Sequence, residues 1–161
     1  MHNYKLGLSK KVLNWYDNNR RDLPWRRENS KKKLEFYTLV SEFMLQQTQV
    51  KIVIPYFFKF IKRFPNIKKL SNARIGSILK HWEGLGYYSR AKNLHITSKI
   101  ICKKYSGRMP KKIEDLKLLP GVGDYTASMI MAIVNNKPEI AFDGNVKRVF
   151  KRFFLLPEAE N

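Results

Sequence analysis

Apolar residues recur at every third or fourth position along most of the chain, and no stretch alternates apolar with polar residues as a half-buried strand would. That period commits the chain to helices, and its glycines and prolines mark where they stop. Leu8, Val12, Trp15 and Tyr16 stripe a first helix over 8–18, with Ser9 available near its N-cap. The pattern breaks between Arg20 and Lys33 around Pro24 and resumes as a buried helix over 34–46. Thr48 is placed to cap the next helix, which carries Val53, Phe57 and Phe60 and in which Pro55 predicts a kink. Short helices follow within "FPNIKKLSNA" and "RIGSILKHW", ending at Gly84 and Gly86. A long helix over 87–105 is closed by Gly107 and Pro110. Helices over 114–118 and 125–134 flank "LPGVGD", and "AFDGNVKRVFKRFFLL" holds the last one. The expected fold class is all-α, without internal repeat or low-complexity linker.

With 161 residues, 43% of them hydrophobic, the chain holds one domain or two small lobes sharing a cleft. Its net charge of +19 exceeds what solubility needs and attracts a polyanion, so nucleic acid is the first candidate partner. An anionic membrane surface, a ribosomal setting or an AT-rich genome that inflates lysine would also produce such a charge. Cys102 is the one cysteine, which excludes an internal disulfide and any four-thiolate metal or cluster site within these residues; a small core residue is expected there. His2, His81 and His95 lack metal-ligand spacing and read as surface or helix residues; no metal site is expected. Met44, Met129 and Met131 fit core packing. "MHNYKLGLSKK" does not read as a signal peptide and no run approaches membrane-spanning length, so a cytoplasmic protein without membrane contact is expected.

Three stretches carry chemistry. "VSEFMLQQTQV" (40–50) sets Glu42 among apolar residues with no basic neighbour in sequence. Two readings stand: a helix-surface glutamate, which is the commoner case, or a buried acid that burial keeps protonated and able to donate a proton. "LPGVGD" is a tight turn in which Pro120 fixes one backbone angle while Gly121 and Gly123 allow positive φ and close approach. Opening a helix N-terminus in a strongly basic chain, it resembles a helix-hairpin-helix motif over about 113–134, which holds a phosphate on backbone amides. In "FDGNVKRV", Asp143 precedes a helix start; it is an N-cap, or the second of two carboxylates in unlike environments, as hydrolysis of a glycosidic bond requires.

Together "LPWR", "SEFMLQQTQV", "IPYFFKFIKRFP", "WEGLGYYSRAKNLH", "LPGVGDYTAS" and "DGNVKRV" resemble, in order from about Arg21 to Val149, the adenine DNA glycosylases of the MutY type. The resemblance implies a helix-hairpin-helix glycosylase fold with a six-helix-barrel lobe over 21–161, preceded by an N-terminal helix over 1–20. It implies removal of adenine opposite 8-oxoguanine or guanine in double-stranded DNA during base excision repair. Flipping the adenosine out is physically necessary, because the reacting atoms are inaccessible in the stack. By motif, Glu42 would protonate N7 of adenine, Asp143 would stabilise the cationic sugar, and Tyr125 and Asn145 would assist. Gln47 would wedge into the duplex. Gly121, Val122, Gly123, Tyr88, Arg90 and Lys147 would contact DNA, and Arg21, Leu23, Trp25 and Leu45 would line the adenine pocket. Tyr125 stands where endonuclease III-like relatives carry an attacking lysine, so a monofunctional enzyme without lyase step is implied.

The sequence departs from that family where it stops, before the four cysteines of a 4Fe-4S cluster and before a Nudix-like domain. No cofactor is therefore expected within this chain, and a second half of the enzyme is an implied partner of an otherwise monomeric protein. The helix over 8–18, with Trp15, is expected to lose its packing surface and stand exposed. In "WEGLGYYSRA" the glycines turn the chain and the tyrosines are expected to pack. Weak or absent activity, a non-catalytic DNA-binding remnant, and a mismatch thymine or oxidised-pyrimidine glycosylase are the alternatives.

Overall fold

A computed structural model describes the backbone of residues 2–155 and the side chains of residues 7–155. The described chain is helical throughout: α1 (His2–Asn19), a 3₁₀ turn (Pro24–Arg26), α2 (Lys31–Leu45), α3 (Val50–Arg63), α4 (Ile67–Ser71), α5 (Ile75–Trp82), α6 (Tyr88–Lys104), α7 (Ile113–Lys117), α8 (Asp124–Asn135) and α9 (Gly144–Phe154). Among the described residues no helix is long and apolar enough to cross a membrane.

α2 is the axle. Thr38 through Met44 are buried on every side, because α3, α6, α8 and the 3₁₀ turn all pack against this helix. A stretch buried all round a helix, its polar Thr38, Ser41 and Glu42 included, can be accommodated only in such a position. Trp25, Phe57, Phe60, Phe64 and Trp82 complete the core around it in edge and tilted contacts. α4 and α5 lie against α6, and α7 against α8.

Several local expectations are corrected. The first helix begins at His2, so Ser9 sits in its interior and does not cap it. Gln49, not Thr48, precedes α3, which holds Pro55 in its interior. Tyr87 and Tyr88 are largely exposed and join no core, Tyr87 keeping one ring face on Arg90. His95 is buried, where desolvation and Lys99 hold its pKa below the ordinary value against two backbone carbonyls. Cys102 is half-buried. In α1, as expected, Val12, Leu13, Trp15 and Tyr16 are exposed. α9 likewise buries nothing, although Phe142, Phe150, Phe154 and Phe153 stack along it.

Candidate active site

α2 holds two buried acids, and their surroundings differ. Glu35, near its start, accepts from Arg108 Nε and Nη2 at 3.0 and 2.7 Å and from the Met109 amide at 3.2 Å, so its charge is matched. Glu42, two turns on, is 6% exposed and has no such partner: burial pushes its carboxyl up to about 7, with Arg26 pulling the other way. The carboxyl can therefore carry a proton near neutral pH. Arg26 escapes a reading by sequence neighbours because the 3₁₀ turn brings it in. Leu23 and Trp25 are buried, Trp25 edge-on to Phe57 at 5.3 Å, and this pins the turn on α2 with exposed Arg26 at its end.

Two further elements carry groups linked electrostatically through one phenol to Glu42. Tyr125 lies in the first turn of α8, and its phenol pKa is raised by burial, then by Glu42 and by Asp143. One hydroxyl thus feels both carboxylates, although 101 positions separate them in sequence (143 minus 42). Asp143 is half-buried as the N-cap of α9, where Oδ1 accepts from the Val146 amide at 2.7 Å. Asn145 Nδ2 reaches Asp143 Oδ2 at 3.5 Å, while Asn145 Oδ1 accepts from Arg148 at 3.0 Å. The cap fixes where the Asp143 carboxylate stands.

The turn between α7 and α8 borders this group. Gly121 has φ +80°, and a Cβ there would lie 2.7 Å from Phe43 and 3.0 Å from Asn93, so only glycine fits. Gln46 Nε2 donates to Gly121 O at 3.0 Å and Thr97 Oγ1 to Pro120 O at 3.0 Å, tying the turn to the end of α2 and to α6. Two expectations change here. Gly123 has an extended backbone with φ −86° and open space above it, and Val122 is buried with its amide spent on Leu119 O at 3.0 Å. The surface offered to an anion is therefore the first turn of α8, beginning at exposed Gly123, where helix amides lack partners. Asp124 at this end is paired with Lys117 at 2.6 Å.

The remaining expected residues divide. Gln47 and Tyr88 are exposed beside the ends of α2 and α6, and Lys147 is exposed on α9. Arg90 is corrected: it is 5% exposed with its guanidinium turned inward onto backbone carbonyls, so it has nothing to offer DNA directly. Leu23 and Trp25 are core residues, Leu45 is half-buried, and Arg21 is exposed. Arg21 and Leu23 line a cavity of about 380 Å³ with Arg20, Asp22 and Arg26. A larger cavity, about 810 Å³, lies around Glu35, Cys102 and Arg108. Its one acid is already matched by Arg108, so we place the chemistry at Glu42.

The chain is similar to known proteins over most of its length. An adenine DNA glycosylase of Buchnera aphidicola subsp. Baizongia pistaciae is 48% identical over 146 residues, covering 90% of this chain and 40% of its own length. The adenine DNA glycosylase of Homo sapiens is 41% identical over 146 residues, covering 88% of this chain and 27% of its own. Among solved structures, a thermostable thymine-DNA glycosylase superposes with a TM-score of 0.81 at 26% identity, over 91% of this chain and 66% of that one. A non-covalent endonuclease III–DNA complex shares the fold, with a TM-score of 0.77 at 18% identity over 98% and 72%. The chain thus spans well under half the length of the curated relatives it matches. The model of the HhH-GPD superfamily of base excision DNA repair proteins matches residues 40–161, from the catalytic-helix motif through the hairpin to the last helix, and the chain belongs to that superfamily.

Proposed function

We propose that this chain is the catalytic part of an adenine DNA glycosylase acting on adenine opposite 8-oxoguanine or guanine in double-stranded DNA. The observation that carries the reading is an unmatched buried acid, Glu42, raised to about 7 and sharing Tyr125 with Asp143. Glu42 protonates N7 of the extruded adenine, so that the C1′–N9 bond breaks with its electron pair leaving on a neutral base. The Asp143 carboxylate faces the oxocarbenium-like sugar until water adds to C1′ and gives up a proton. Tyr125 and Asn145 orient these groups. Tyr125 has no amine with which to form a Schiff base, so no lyase step follows.

The remaining assignments rest on the same reading. Gln47 wedges into the duplex, Tyr88 contacts it, the first turn of α8 and Lys147 hold its backbone, and the cavity at Arg21, Leu23 and Arg26 adjoins the base. One cysteine cannot supply four thiolates, so any iron–sulfur cluster is held outside these 161 residues. The exposed face of α1 meets further polypeptide of the longer enzyme, which works where bacterial DNA lies, in the cytoplasm. Timed base release from an A:8-oxoguanine duplex decides the central point. Wild type leaves alkali-labile sites and Glu42→Gln leaves none; a folded, DNA-binding wild type without base release refutes catalysis. Turnover on T:G in place of A:8-oxoguanine would favour a thymine glycosylase, the class of one solved neighbour.

A further inference from the structure

α2 ends at Leu45, so the carbonyls of its last turn have no amide partner within the helix. A single side chain from α6 serves them. Arg90 Nη1 donates to Met44 O at 2.8 Å, to Thr48 Oγ1 at 3.1 Å, to Gln46 O, and more distantly to Phe43 O at 3.4 Å. Nη2 reaches the other way, to Leu85 O at 3.0 Å and Gly86 O at 3.1 Å. The rings of Trp82 and Tyr87 flank the guanidinium at 5.6 and 5.4 Å. A cation is favoured at a helix C-terminus, and a planar fork can bind in two directions where an ammonium acts from one point.

The two segments held in this way carry Gln47 and Tyr88. Both are conformationally costly: Gln47 has φ +57°, and Gly86 and Tyr87 have φ +72° and +47°. A non-glycine residue in the left-handed region costs about 1 kcal/mol or more and persists only where its surroundings fix it. Here the atoms that fix it are the Gln46 carbonyl before Gln47, the Thr48 hydroxyl after it and the Gly86 carbonyl before Tyr87, drawn onto one guanidinium.

We propose that Arg90 is a positioning residue that clamps the C-terminus of α2 to the turn before α6, setting Gln47 and Tyr88 at fixed separation beside Glu42. For its DNA-facing consequence this rests on the proposed function. The clamp makes extrusion of the base and protonation of the base properties of one rigid edge, because the helix that carries the acid is the helix whose end is clamped.

Arg90→Lys, which keeps the charge and loses the fork, and Arg90→Met test it. Amide hydrogen exchange is measured over 46–49 and 84–88, target-base extrusion by 2-aminopurine fluorescence, and base release in single turnover. In Arg90→Lys, exchange in both segments rises tenfold or more while α4 and α8 keep their protection. Extrusion and release fall about 10- to 100-fold, the scale expected of a misplaced catalytic edge. Affinity for undamaged duplex and its salt dependence stay within threefold. Unchanged exchange, release within threefold of wild type, or duplex affinity falling in step with release would each overturn the clamp. If Arg90→Met does not fold, Thr48→Val, which removes one acceptor, shows the same pattern in milder form. If the wild type releases no base, the proposed function fails, while exchange and extrusion still decide the clamp.

Discussion

Glu42 differs from every other acid among the described residues in being buried without a matching cation in contact, and this has a consequence for stability as well as chemistry. Its folded value of about 7 lies above the ordinary 4.5, so between these pH values the folded state holds a proton that the unfolded chain has lost. The contribution to stability is complete below pH 4.5 and is lost as pH rises through about 7, a change of about 3 kcal/mol. Glu42→Gln removes that slope; thermal melts between pH 5 and 8.5 should show the wild type losing stability relative to the variant. Base release by the wild type should fall over the same range, as the proton donor is lost. The motif around Glu42 was legible from sequence, but Arg26 beside it was not, since only the buried Leu23 and Trp25 bring that turn onto α2. Gly121 was legible too. Gly121→Ala puts a methyl 2.7 Å from Phe43 in a backbone conformation that alanine resists, and urea melts should show a loss of about 2 kcal/mol or more.

At the scale of elements, α2 is fastened at both ends by arginines that sequence periodicity does not single out. Arg108 grips Glu35 near its start and Arg90 grips the carbonyls at its end. Because Arg90 lies in the first turn of α6 and Arg108 follows its end, α2 and α6 run antiparallel with their opposite ends joined. Arg108→Met leaves a buried carboxylate with only the Met109 amide, which should cost about 2 kcal/mol in chemical denaturation without moving the pH dependence that belongs to Glu42. Helix existence was readable almost everywhere, because buried faces impose their period. Helix starts were not: Ser9 and Thr48 are good capping types that the tertiary structure leaves unused as caps, whereas Asp143 caps as expected.

For the molecule as a whole, the charge of +19 and the exposed apolar faces of α1 and α9 make two separate predictions. Duplex affinity should fall with salt, log K dropping about 0.9 per neutralised phosphate per log unit, and Glu42→Gln should leave that slope unchanged. Light scattering should show self-association that Leu13→Glu with Trp15→Glu reduces, since large exposed apolar patches drive association. By itself the sequence determined the all-α class and the hairpin, and it singled out Glu42 and Asp143 as candidates, because periodicity, turn chemistry and residue type are local properties. The tertiary structure alone decided which cation approaches Glu42, that one phenol senses both acids, and that Arg90 faces inward. Those depend on which distant segments share one low-dielectric space, and no local pattern encodes that.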